Sequence, residues 1–555
     1  STPILEIAVP SPLFRSFDYR APKAIHHRQA VPGVRVLVPF GHRQVTGVLL
    51  ASKQHTDVAA EKLKSALQIL DTEPVFAGDL LQMLSWAAGY YHHPIGETLA
   101  TALPVLLRKP VKPPDMAIKV WQLTDSGHQQ LERSLSRAPR QLSVLNELKA
   151  HPQGLARETL SVPLAVLKNL QQKGWIVCLD AAHEQVQDIL NPSPALHSLT
   201  EPQKKAVKAV KSAFGKFSTF LLEGVTGSGK TEVYLQLIEP LLQDNRQVLV
   251  LVPEIGLTPQ LVDRFRKRFT VDVAVLHSGL NDSQRLRAWQ QAAGGTARLI
   301  LGTRSAIFTP LKNPGLIIVD EEHDSSFKQQ EGLRYSARDL AVWRARQLNI
   351  PIILGSATPS LESLHNERQG RYRLLLLPER AGQALAPKMH LLDLRGQPLR
   401  DLLSAALLDA MDAHLKRGGQ ILLFLNRRGF APVLLCHACG WVSECRRCDA
   451  RMTLHQRSGE LRCHHCGSRR RVDAFCPSCG SSELLGIGEG TERVEQALLE
   501  RFPNDPVLRI DRDTTRRKGQ LEGALSAAQA GKARILLGTQ MLAKGHHFPN
   551  VTLAA

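Results

Sequence analysis

The stretch that most constrains the fold is residues 224–231, Gly-Val-Thr-Gly-Ser-Gly-Lys-Thr. It follows an apolar run at 220–222 and precedes a helical pattern of apolar residues over 234–242. Strand, glycine-rich turn and helix in this order, with the spacing G-x-x-x-x-G-K-[ST], are typical of a phosphate-binding loop. A plain glycine-rich turn is the alternative, but all the spaced positions and both flanks favour phosphate binding. We therefore predict an α/β chain that binds a nucleoside triphosphate.

Each part of this loop has a predicted task. Its glycines allow backbone N–H groups to point at phosphate oxygens. Lys230 would reach the β- and γ-phosphates of ATP, and the Thr231 hydroxyl would complete a Mg²⁺ shell. The helix that begins at Lys230 adds its positive dipole end. The nucleotide-binding residues predicted here are Gly224, Thr226, Gly227, Ser228, Gly229, Lys230 and Thr231.

Length and charge narrow the class of protein. With 555 residues the chain exceeds what one core usually holds, and we expect about three to five domains. Lys and Arg number 70 against 51 Asp and Glu, a formal net charge of +19. Such a surplus on an ATP-binding chain favours a polyanionic partner over a merely soluble basic protein. No apolar run approaches the ~18 residues that span a bilayer, and no signal peptide is recognisable, so we expect a cytoplasmic protein.

Composition shifts divide the chain into regions. A basic, proline-bearing link at 108–114 and a polar segment at 188–198 mark two boundaries. The predicted regions are a β-rich domain at 1–105, a winged-helix-like domain at 115–180, one α/β lobe at 195–385, a second at 390–435 and 482–555, and a cysteine-rich module at 436–481. A generic helical spacer is the alternative for the second region. In the first, interleaved basic and aromatic residues suit a nucleic-acid surface, although ordinary core aromatics give the same pattern.

Two parallel-sheet lobes are predicted. Near-continuous Val/Ile/Leu runs alternate with helical patterns, as in parallel sheets covered on both faces. The segment 297–303, Ala-Arg-Leu-Ile-Leu-Gly-Thr, nearly recurs at 533–539 as Ala-Arg-Ile-Leu-Leu-Gly-Thr. Because both copies fall at strand ends, they favour two related lobes.

An apolar strand at 316–319 ends in Asp320-Glu321-Glu322-His323. Acidic side chains at the carboxyl end of a parallel strand, near a phosphate loop, meet the metal and the attacking water. Asp320 would hold Mg²⁺ and Glu321 would orient or activate the water. An acidic helix N-terminus is the alternative.

The tetrad at 320–323 resembles the DEAH-type box of superfamily 2 helicases, and other motifs follow the family order. Gln203 resembles the adenine-reading glutamine. Segments 252–258 and 302–305 resemble motifs that track a DNA backbone, and 355–359 resembles the motif that couples hydrolysis to lobe movement. Segments 424–429 and 538–545 resemble motifs of the second lobe. The resemblance implies two RecA-like lobes that clamp ATP. Residues 327–335 mix aromatics with cations and suit a loop that senses single-stranded DNA, or a plain surface loop.

Eight of the nine cysteines form four C-x-x-C pairs. In a long cytosolic chain such pairs indicate metal rather than disulfides, and four thiolates complete one tetrahedral zinc site. We expect two structural Zn²⁺ ions, with iron–sulfur ligation as the alternative. Consecutive and nested pairing are both possible; we prefer nested pairing, which joins the outer pairs to each other and the inner pairs to each other. The predicted ligands are Cys436, Cys439, Cys445, Cys448, Cys463, Cys466, Cys476 and Cys479.

A superfamily 2 helicase with an eight-cysteine module in its second lobe resembles the PriA family of bacterial replication restart helicases. Segments 17–19, 90–96 and 320–335 carry the likeness along with the cysteine pairs. It implies that the first domain captures the 3′ end of a nascent strand, with Phe17, Asp18, Gly41 and Lys64 as the candidate pocket. It also implies an ATP-dependent 3′→5′ DNA helicase that recognises stalled or branched forks, is nucleoid-associated, binds single-strand-binding protein, and recruits PriB and DnaT for primosome assembly.

One departure from the family pattern concerns the end of the sequence at Ala555, just past the motif at 538–545. The family continues with an arginine-bearing motif and a further domain, and that arginine stabilises charge on the γ-phosphate. We expect a truncated or partly represented chain. Two other hypotheses remain open: an ATP-switched fork-binding scaffold in which unwinding is secondary, and an RNA helicase of the same superfamily.

Overall fold

The computed structural model describes the chain except for residues 1–2, 23–29, 111–118, 133–138, 153, 157–159, 161, 181–197, 255–258, 270, 381–386, 398, 401–402, 426–432, 456–457, 488–490, 512–519, 539–541 and 543–547. Several predicted features lie wholly or partly outside the described residues. These are the links at 108–114 and 188–198 and the motifs at 252–258, 424–429 and 538–545. Within the described residues, no helix combines the length and the apolar character needed to cross a bilayer.

Contacts between backbone positions divide the chain into two units. The first unit comprises residues 1–223, 230–251 and 266–376. The second comprises 224–229, 252–265 and 377–555.

The first unit opens with the predicted β-rich domain, here called the front domain. Its strands and helices are β1 (Ile4–Ala8), β2 (Phe17–Arg20), β3 (Arg35–Phe40), β4 (Arg43–Lys53), β5 (Gln68–Ile69), α1 (Gly78–Tyr90) and α2 (Ile95–Ala102). A 3₁₀ turn, Val105–Arg108, follows. The sheet order is β2-β1-β4-β3-β5, and a bridge between Arg20 and Ser65 draws β2 toward the segment before β5. The sheet is therefore a partly closed barrel, which brings β2 near the β3–β4 hairpin.

The next region is the one for which a winged-helix-like domain was predicted, and that assignment stays a prediction. Its elements are β6 (Lys119–Leu123), α3 (Asp125–Glu132), α4 (Pro139–Lys149), β7 (Leu155–Ala156), α5 (Leu164–Gln172) and β8 (Ile176–Asp180). The three strands form an antiparallel sheet in the order β7-β6-β8. Trp121 of β6 is buried among leucines of α4 and α5, as their apolar periodicity requires.

The first helicase lobe is a seven-stranded sheet in the order β11-β12-β10-β13-β14-β9-β15. Its strands are β9 (Ser218–Gly224), β10 (Gln247–Leu251), β11 (Val273–Leu276), β12 (Leu299–Gly302), β13 (Pro314–Asp320), β14 (Pro351–Ser356) and β15 (Tyr372–Leu377). Its helices are α6 (Glu201–Lys211), α7 (Lys230–Gln243), α8 (Pro259–Arg268), α9 (Asp282–Gly294), α10 (Ala337–Gln347) and α11 (Leu361–Arg368). The pairs from β11 through to β9 are parallel, so the predicted parallel sheet is confirmed.

The front domain and the first lobe share one hydrophobic core. Buried residues of α1 and α10 belong to the same cluster, and Trp86 stacks on Trp343 with ring centroids 5.5 Å apart. The fully buried Arg344 donates from Nε to Asp79 Oδ2 at 3.1 Å and from Nη1 to the Ile307 carbonyl at 2.8 Å. Burying this guanidinium without its partners would cost several kcal/mol. These contacts fix the front domain against the ATP-binding lobe.

The second unit contains the second lobe and the cysteine module. Its lobe elements are β16 (Leu399–Arg400), β17 (Leu403–Ser404), α12 (Ala405–Lys416), β18 (Gln420–Phe424), α13 (Thr491–Arg501), β24 (Val507–Ile510), α14 (Gln520–Gln529), β25 (Ile535–Gly538) and β26 (Val551–Ala554). The parallel order is β24-β25-β18-β26. The module's strands are β19 (Val433–Cys436), β20 (Thr453–His455), β21 (Glu460–Arg462), β22 (Arg469–Arg471) and β23 (Leu484–Ile487), ordered β22-β21-β20-β19-β23.

The predicted relation between the lobes extends to single hydrogen bonds. Gln247 begins β10, and its buried amide donates to the Ala297 carbonyl at 2.8 Å and to a carbonyl near the end of α9. Gln420 begins β18, and its buried amide donates to the Ala533 carbonyl at 2.6 Å and to a carbonyl near the end of α14. The two glutamines therefore occupy equivalent positions.

The arginine after each of these alanines repeats the pattern. Arg298 donates to the carbonyl of Leu242 near the end of α7 at 2.9 Å. Arg534 donates to the carbonyl of Leu415 near the end of α12 at 2.6 Å. The near-repeat of 297–303 at 533–539 thus marks the same position in two related lobes.

Candidate nucleotide site, DNA contacts and metal centres

The phosphate-binding loop joins β9 to α7, the connection predicted from the sequence. Gly227 and Gly229 both have φ of +81°, in the left-handed region that a residue with Cβ adopts only under strain. Lys230 is the first residue of α7 and Thr231 the second. Lys230 Nζ lies 4.0 Å from Glu321 Oε1. The first unit therefore brings the predicted lysine to the predicted acidic box.

Asp320 ends β13 and is held by a residue that the sequence did not single out. Tyr234 of α7 donates its hydroxyl to Asp320 Oδ1 at 2.9 Å. Burial, followed by the charge of Glu321, raises the pKa of Asp320 to about 6. A carboxylate whose ionised form is disfavoured in this way is stabilised by a bound cation, which fits the predicted Mg²⁺ role.

A glycine permits this contact. A Cβ at Gly355 of β14 would lie 1.8 Å from the Tyr234 hydroxyl oxygen and 3.4 Å from Asp320 Oδ1. Gly355 belongs to the segment 355–359, which was predicted to couple hydrolysis to lobe movement. Its first role in the structure is to leave room for the tyrosine that orients Asp320.

Glu321 has φ of +49°, which is uncommon for a residue with a side chain. Such strain concentrates at functional sites, where surrounding contacts hold it in place. The neighbouring His323 provides one of these contacts, because its Nδ1 lies 2.7 Å from Ser356 Oγ and 3.6 Å from Glu321 Oε2. This histidine joins the acidic box to the segment at 355–359.

Glu322 provides a second, buried link that sequence reasoning missed. Its Oε1 accepts from the Ser360 backbone N–H at 2.7 Å. Its Oε2 accepts from Arg338 Nη1 at 3.1 Å and from Ser363 Oγ at 2.9 Å. A buried carboxylate needs several such donors, and only the pair of acids following Asp320 could have suggested it. The start of α11 is thereby tied to the acidic box.

Gln203 is buried in the first turn of α6. Its side-chain oxygen accepts from the Thr200 backbone N–H at 2.9 Å, closing a capping box. The residue lies near the start of the helix that precedes β9, and its role in reading adenine stays a prediction.

The loop at 327–335 buries its two aromatic residues. Phe327 and Tyr335 are both 2% exposed and belong to the core, so their rings do not stack on a DNA base. Arg304 of the 302–305 segment donates to the carbonyl oxygens of Ser326 at 2.9 Å and Lys328 at 3.2 Å. The exposed members of the loop are Lys328, Gln330, Glu331, Gly332 and Arg334. The exposed part of the loop therefore presents Lys328 and Arg334 to solvent, while Arg304 holds the start of the loop.

The front domain reaches the same loop. Tyr91, which follows α1, accepts a hydrogen bond at its hydroxyl from the Ser336 backbone N–H at 3.1 Å. Lys328 Nζ lies 5.0 Å from the centre of the Tyr91 ring. Burial raises the pKa of Tyr91 to about 12, so the hydroxyl stays protonated. The loop after the acidic box is therefore held by the front domain as well as by the first lobe.

The candidate 3′-end residues lie around β2. Phe17 packs edge-on against Phe40 at 5.1 Å, and Phe40 directly precedes Gly41, which has φ of +60° at the β3–β4 turn. Asp18 Oδ2 accepts from Thr56 Oγ1 at 2.6 Å.

Lys64 reaches the same strand through its backbone. Its carbonyl accepts from the Arg20 backbone N–H at 2.9 Å, two residues beyond Asp18. The partly closed barrel thus brings all four predicted positions to one region around β2, and their contact with DNA stays a prediction.

The eight cysteines form two clusters, and the preferred nested pairing is confirmed. One cluster joins Cys436 and Cys439 to Cys476 and Cys479; the other joins Cys445 and Cys448 to Cys463 and Cys466. Opposed sulfurs lie 3.5–3.7 Å apart. Tetrahedral zinc with Zn–S bonds of about 2.3 Å separates its sulfurs by about 3.8 Å. The donor sets therefore fit two structural zinc sites.

The peptide chain around the sulfurs favours thiolates. The backbone N–H of Arg447 points at Cys445 Sγ at 3.4 Å, and this contact leads the causes that lower the pKa of Cys445. A backbone N–H also acts to lower the pKa of Cys448 and Cys479, although burial and hydrogen bonds among the neighbouring thiols raise it overall. After Cys439 and Cys479, Gly440 and Gly480 take φ of +80° and +75°. Each donates its N–H to the carbonyl of the first cysteine of its pair at 2.9 Å. These tight turns hold both sulfurs of a pair on one side.

Comparison with known proteins identifies the family. The 3′ DNA-binding domain of PriA matches residues 6–104, the DEAD/DEAH box helicase family matches 200–366, and the PriA DNA helicase Cys-rich region matches 445–471. "Replication restart protein PriA" of Haemophilus influenzae is 46% identical over 100% of this chain and 76% of its own length. The chain belongs to the PriA family.

More distant PriA relatives agree. The replication restart protein PriA of Bacillus subtilis is 37% identical over 97% of this chain and 76% of its own length. That of Chlamydia pneumoniae is 37% identical over 99% and 75%. The chain spans about three quarters of the length of these PriA relatives. Membership confirms an ATP-dependent DNA helicase of replication restart, and it does not favour the scaffold or RNA helicase alternatives.

Proposed function

We propose that this PriA-family chain recognises stalled or branched replication forks through the free 3′ end of a nascent strand, unwinds DNA with 3′→5′ polarity, and initiates primosome assembly. One observation supports this most strongly: the front domain and the ATP-binding lobe share a hydrophobic core and the buried Arg344–Asp79 pair. A strand end held by the front domain has a fixed geometry relative to the site of hydrolysis.

Each residue of the nucleotide site receives a role in this proposal. Lys230 binds the β- and γ-phosphates, and Thr231 and Asp320 hold Mg²⁺. Glu321, which lies 4.0 Å from Lys230, exchanges that partner for the attacking water once phosphate engages the lysine. Gln203 and the loop at 224–229 complete the binding of ATP.

The front domain supplies the recognition of the fork. Phe17 offers a half-buried ring beside the turn at Gly41, suited to the terminal base. Asp18 accepts a hydrogen bond from a 3′ hydroxyl and repels a 3′ phosphate. Lys64 supplies a cation for the adjoining backbone phosphate.

The cysteine module acts as a metal-held platform. Two Zn²⁺ ions fix its five strands, and its arginine-rich surface meets DNA or an acidic partner protein. The proposed partners are single-strand-binding protein, PriB and DnaT. The protein is also proposed to be nucleoid-associated, because its DNA substrate is there.

Strand displacement with Lys230→Ala tests the proposal. We expect ATP hydrolysis and fork unwinding to fall by about 10²–10³-fold, the usual cost of removing one preorganised electrostatic contact. Lys416→Ala is the matched control, because Lys416 lies on the second lobe with its side chain 75% exposed. Primosome assembly that survives while unwinding is lost would separate the two roles and support the scaffold hypothesis.

The choice of nucleic acid is tested separately. Hydrolysis by the purified protein should respond to single-stranded DNA more strongly than to RNA of the same sequence. A clear preference for RNA would contradict the proposal.

A further inference from the structure

A small polar cavity lies between the end of the front domain and the first lobe. Arg108 of the 3₁₀ turn lines one side, and His277, Arg285 of α9 and Ser305 line the other. Its volume is about 80 Å³, room for several waters or for one phosphate group, and too little for a nucleoside.

The charges in this cavity are unbalanced. The pKa of Arg108 is lowered, first by burial and then by the charge of Arg285, while Asp282 acts in the opposite sense. Among the described residues, neither arginine lies within 4.0 Å of a carboxylate. Arg108 Nε donates to the Leu103 carbonyl at 3.1 Å. Arg285 Nη2 lies 3.5 Å from the Ser278 carbonyl oxygen and 3.4 Å from that of Leu280. In the part of the chain that the structure describes, the two guanidinium groups thus meet carbonyl oxygens and no carboxylate, and such a pair gains free energy when an anion joins it.

The cavity lies at the end of the first-lobe sheet where ligands are expected to bind. His277 follows β11, and Ser305 lies three residues after β12. Both strands run parallel to β10 and β13, so their carboxyl ends share the sheet edge at which Asp320 lies. Ligands of open α/β sheets bind at this edge. Ser305 also belongs to the segment 302–305, which resembles a motif that tracks a DNA backbone.

We propose that this cavity binds one backbone phosphate of the DNA strand that runs between the 3′-end site and the ATP-binding lobe. Arg108 and Arg285 provide paired donors for the phosphate oxygens, and Ser305 provides a hydroxyl. The inference rests on the proposed function, because it assigns a path to the strand whose end the front domain captures. The contact fixes the number of nucleotides between the captured end and the motor.

Salt dependence measures the contact directly. Loss of one phosphate contact should reduce the slope of log Kd against log salt concentration by about 0.7–0.9. We expect this reduction for Arg285→Ala on a fork with a free 3′ end, and a slope close to the wild-type value for Arg285→Lys. Arg287→Ala, which removes the same charge from the same helix outside the cavity, is the matched control.

DNA with one uncharged backbone position identifies which phosphate the cavity binds. Forks that carry a single methylphosphonate, stepped along the strand near its 3′ end, should bind the wild type more weakly at one position. At that position Arg108→Ala/Arg285→Ala should bind modified and unmodified forks equally. The inference is overturned if the wild type binds every methylphosphonate fork as tightly as the unmodified fork. It is also overturned if the salt slope of Arg285→Ala equals that of Arg287→Ala.

Two measurements distinguish the DNA contact from a free-anion site and from a failure of the proposed function. If inorganic phosphate raises the melting temperature of the wild type but not of Arg285→Ala, while the DNA slopes stay equal, the cavity is a free-anion site and the DNA assignment is wrong. If the wild type does not distinguish forks with and without a free 3′ end, the proposed function itself fails. If the wild type does distinguish these forks but Arg285→Ala has the wild-type salt slope, the assignment of the cavity is wrong and the proposed function stands.

Discussion

At the scale of single residues, the nucleotide site contains groups that lower the stability of the folded protein and that the chemistry requires. Asp320 is a half-buried acid beside a second acid, and Glu321 has a strained backbone. Tyr234 holds Asp320 and His323 lies beside Glu321. Glu322, one position further, ties the acidic box to Ser360 at the start of α11. A site held ready in this way costs no rearrangement when charge develops on the γ-phosphate.

Asp320→Asn should therefore stabilise the protein while abolishing hydrolysis. The pKa of Asp320 in the folded protein, about 6, lies above the ordinary value of 3.8, so ionisation opposes folding at pH 7. We expect a gain of about 1–3 kcal/mol in the free energy of unfolding at pH 7 without added Mg²⁺. The gain should shrink as pH falls from 6 toward 4, where the folded wild type binds the proton. Urea denaturation at both pH values measures it, and an equal gain at pH 4 and pH 7 would refute the account.

Gly355→Ala tests the packing around the same acid. The new methyl group would displace the Tyr234 hydroxyl, and we expect a loss of about 1–3 kcal/mol in stability, as for other overpacked sites, together with reduced hydrolysis. In a Tyr234→Phe background the stability cost should be smaller, because the clashing oxygen is gone. A double-mutant cycle by thermal denaturation measures this coupling, and costs that add without coupling would contradict the assigned contact.

At the scale of elements, the cysteine module shows how pairing sets its architecture. The outer cluster lies where β19 and β23 pair at the base of the module, and the inner cluster lies on the β20–β21 side. Thiolate–metal bonds supply folding free energy that a core this small lacks. Each cluster therefore stabilises its own end of the module.

Paired serine variants distinguish the two topologies. With nested pairing, Cys439→Ser/Cys476→Ser damages one cluster and should retain about one zinc ion per chain, whereas Cys439→Ser/Cys448→Ser damages both and should retain about none. Consecutive pairing predicts the reverse. Elemental analysis after dialysis measures the ratio, with the wild type at about two zinc ions as the control.

At the same scale, a hydrogen bond joins Tyr91 to Ser336, the residue that directly follows the loop at 327–335. Tyr91→Phe removes a contact worth about 1 kcal/mol. We expect about a five-fold drop in the extra ATP hydrolysis that a free 3′ end evokes, with little change on plain single-stranded DNA. Tyr90→Phe, at a neighbouring side chain that is 61% exposed, is the control. If a free 3′ end stimulates ATP hydrolysis equally in the two variants, the Tyr91 hydroxyl does not transmit the presence of that end to the loop.

At the scale of the whole molecule, local patterns predicted most of the fold. The phosphate loop, the acidic strand end and the Val/Ile/Leu runs are short-range signals, and the strands at 248–252, 299–301 and 535–537 appear where they were expected. The nested cysteines were a preference from topology, which the β19–β23 pairing explains.

The remaining features depend on contacts between distant residues, which no local pattern carries. Tyr234 and Asp320 are 86 positions apart, and Arg344 and Asp79 are 265 apart. Burial of Phe327 and Tyr335 could not be distinguished from exposure by composition alone. The joining of the front domain to the first lobe in one core was likewise absent from the predicted domain boundaries.

The most direct test of the central claim is ATP hydrolysis on forks that differ only at one strand end. A fork with a free 3′ hydroxyl should stimulate ATP hydrolysis by the wild type several-fold more than a fork with a 3′ phosphate. The reason is that the Asp18 carboxylate repels the negative charge of a phosphate bound next to it. Asp18→Ala should lose this distinction while responding normally to single-stranded DNA. Equal hydrolysis by the wild type on the two forks would contradict the claim that the front domain and the ATP-binding lobe work as one recognition unit.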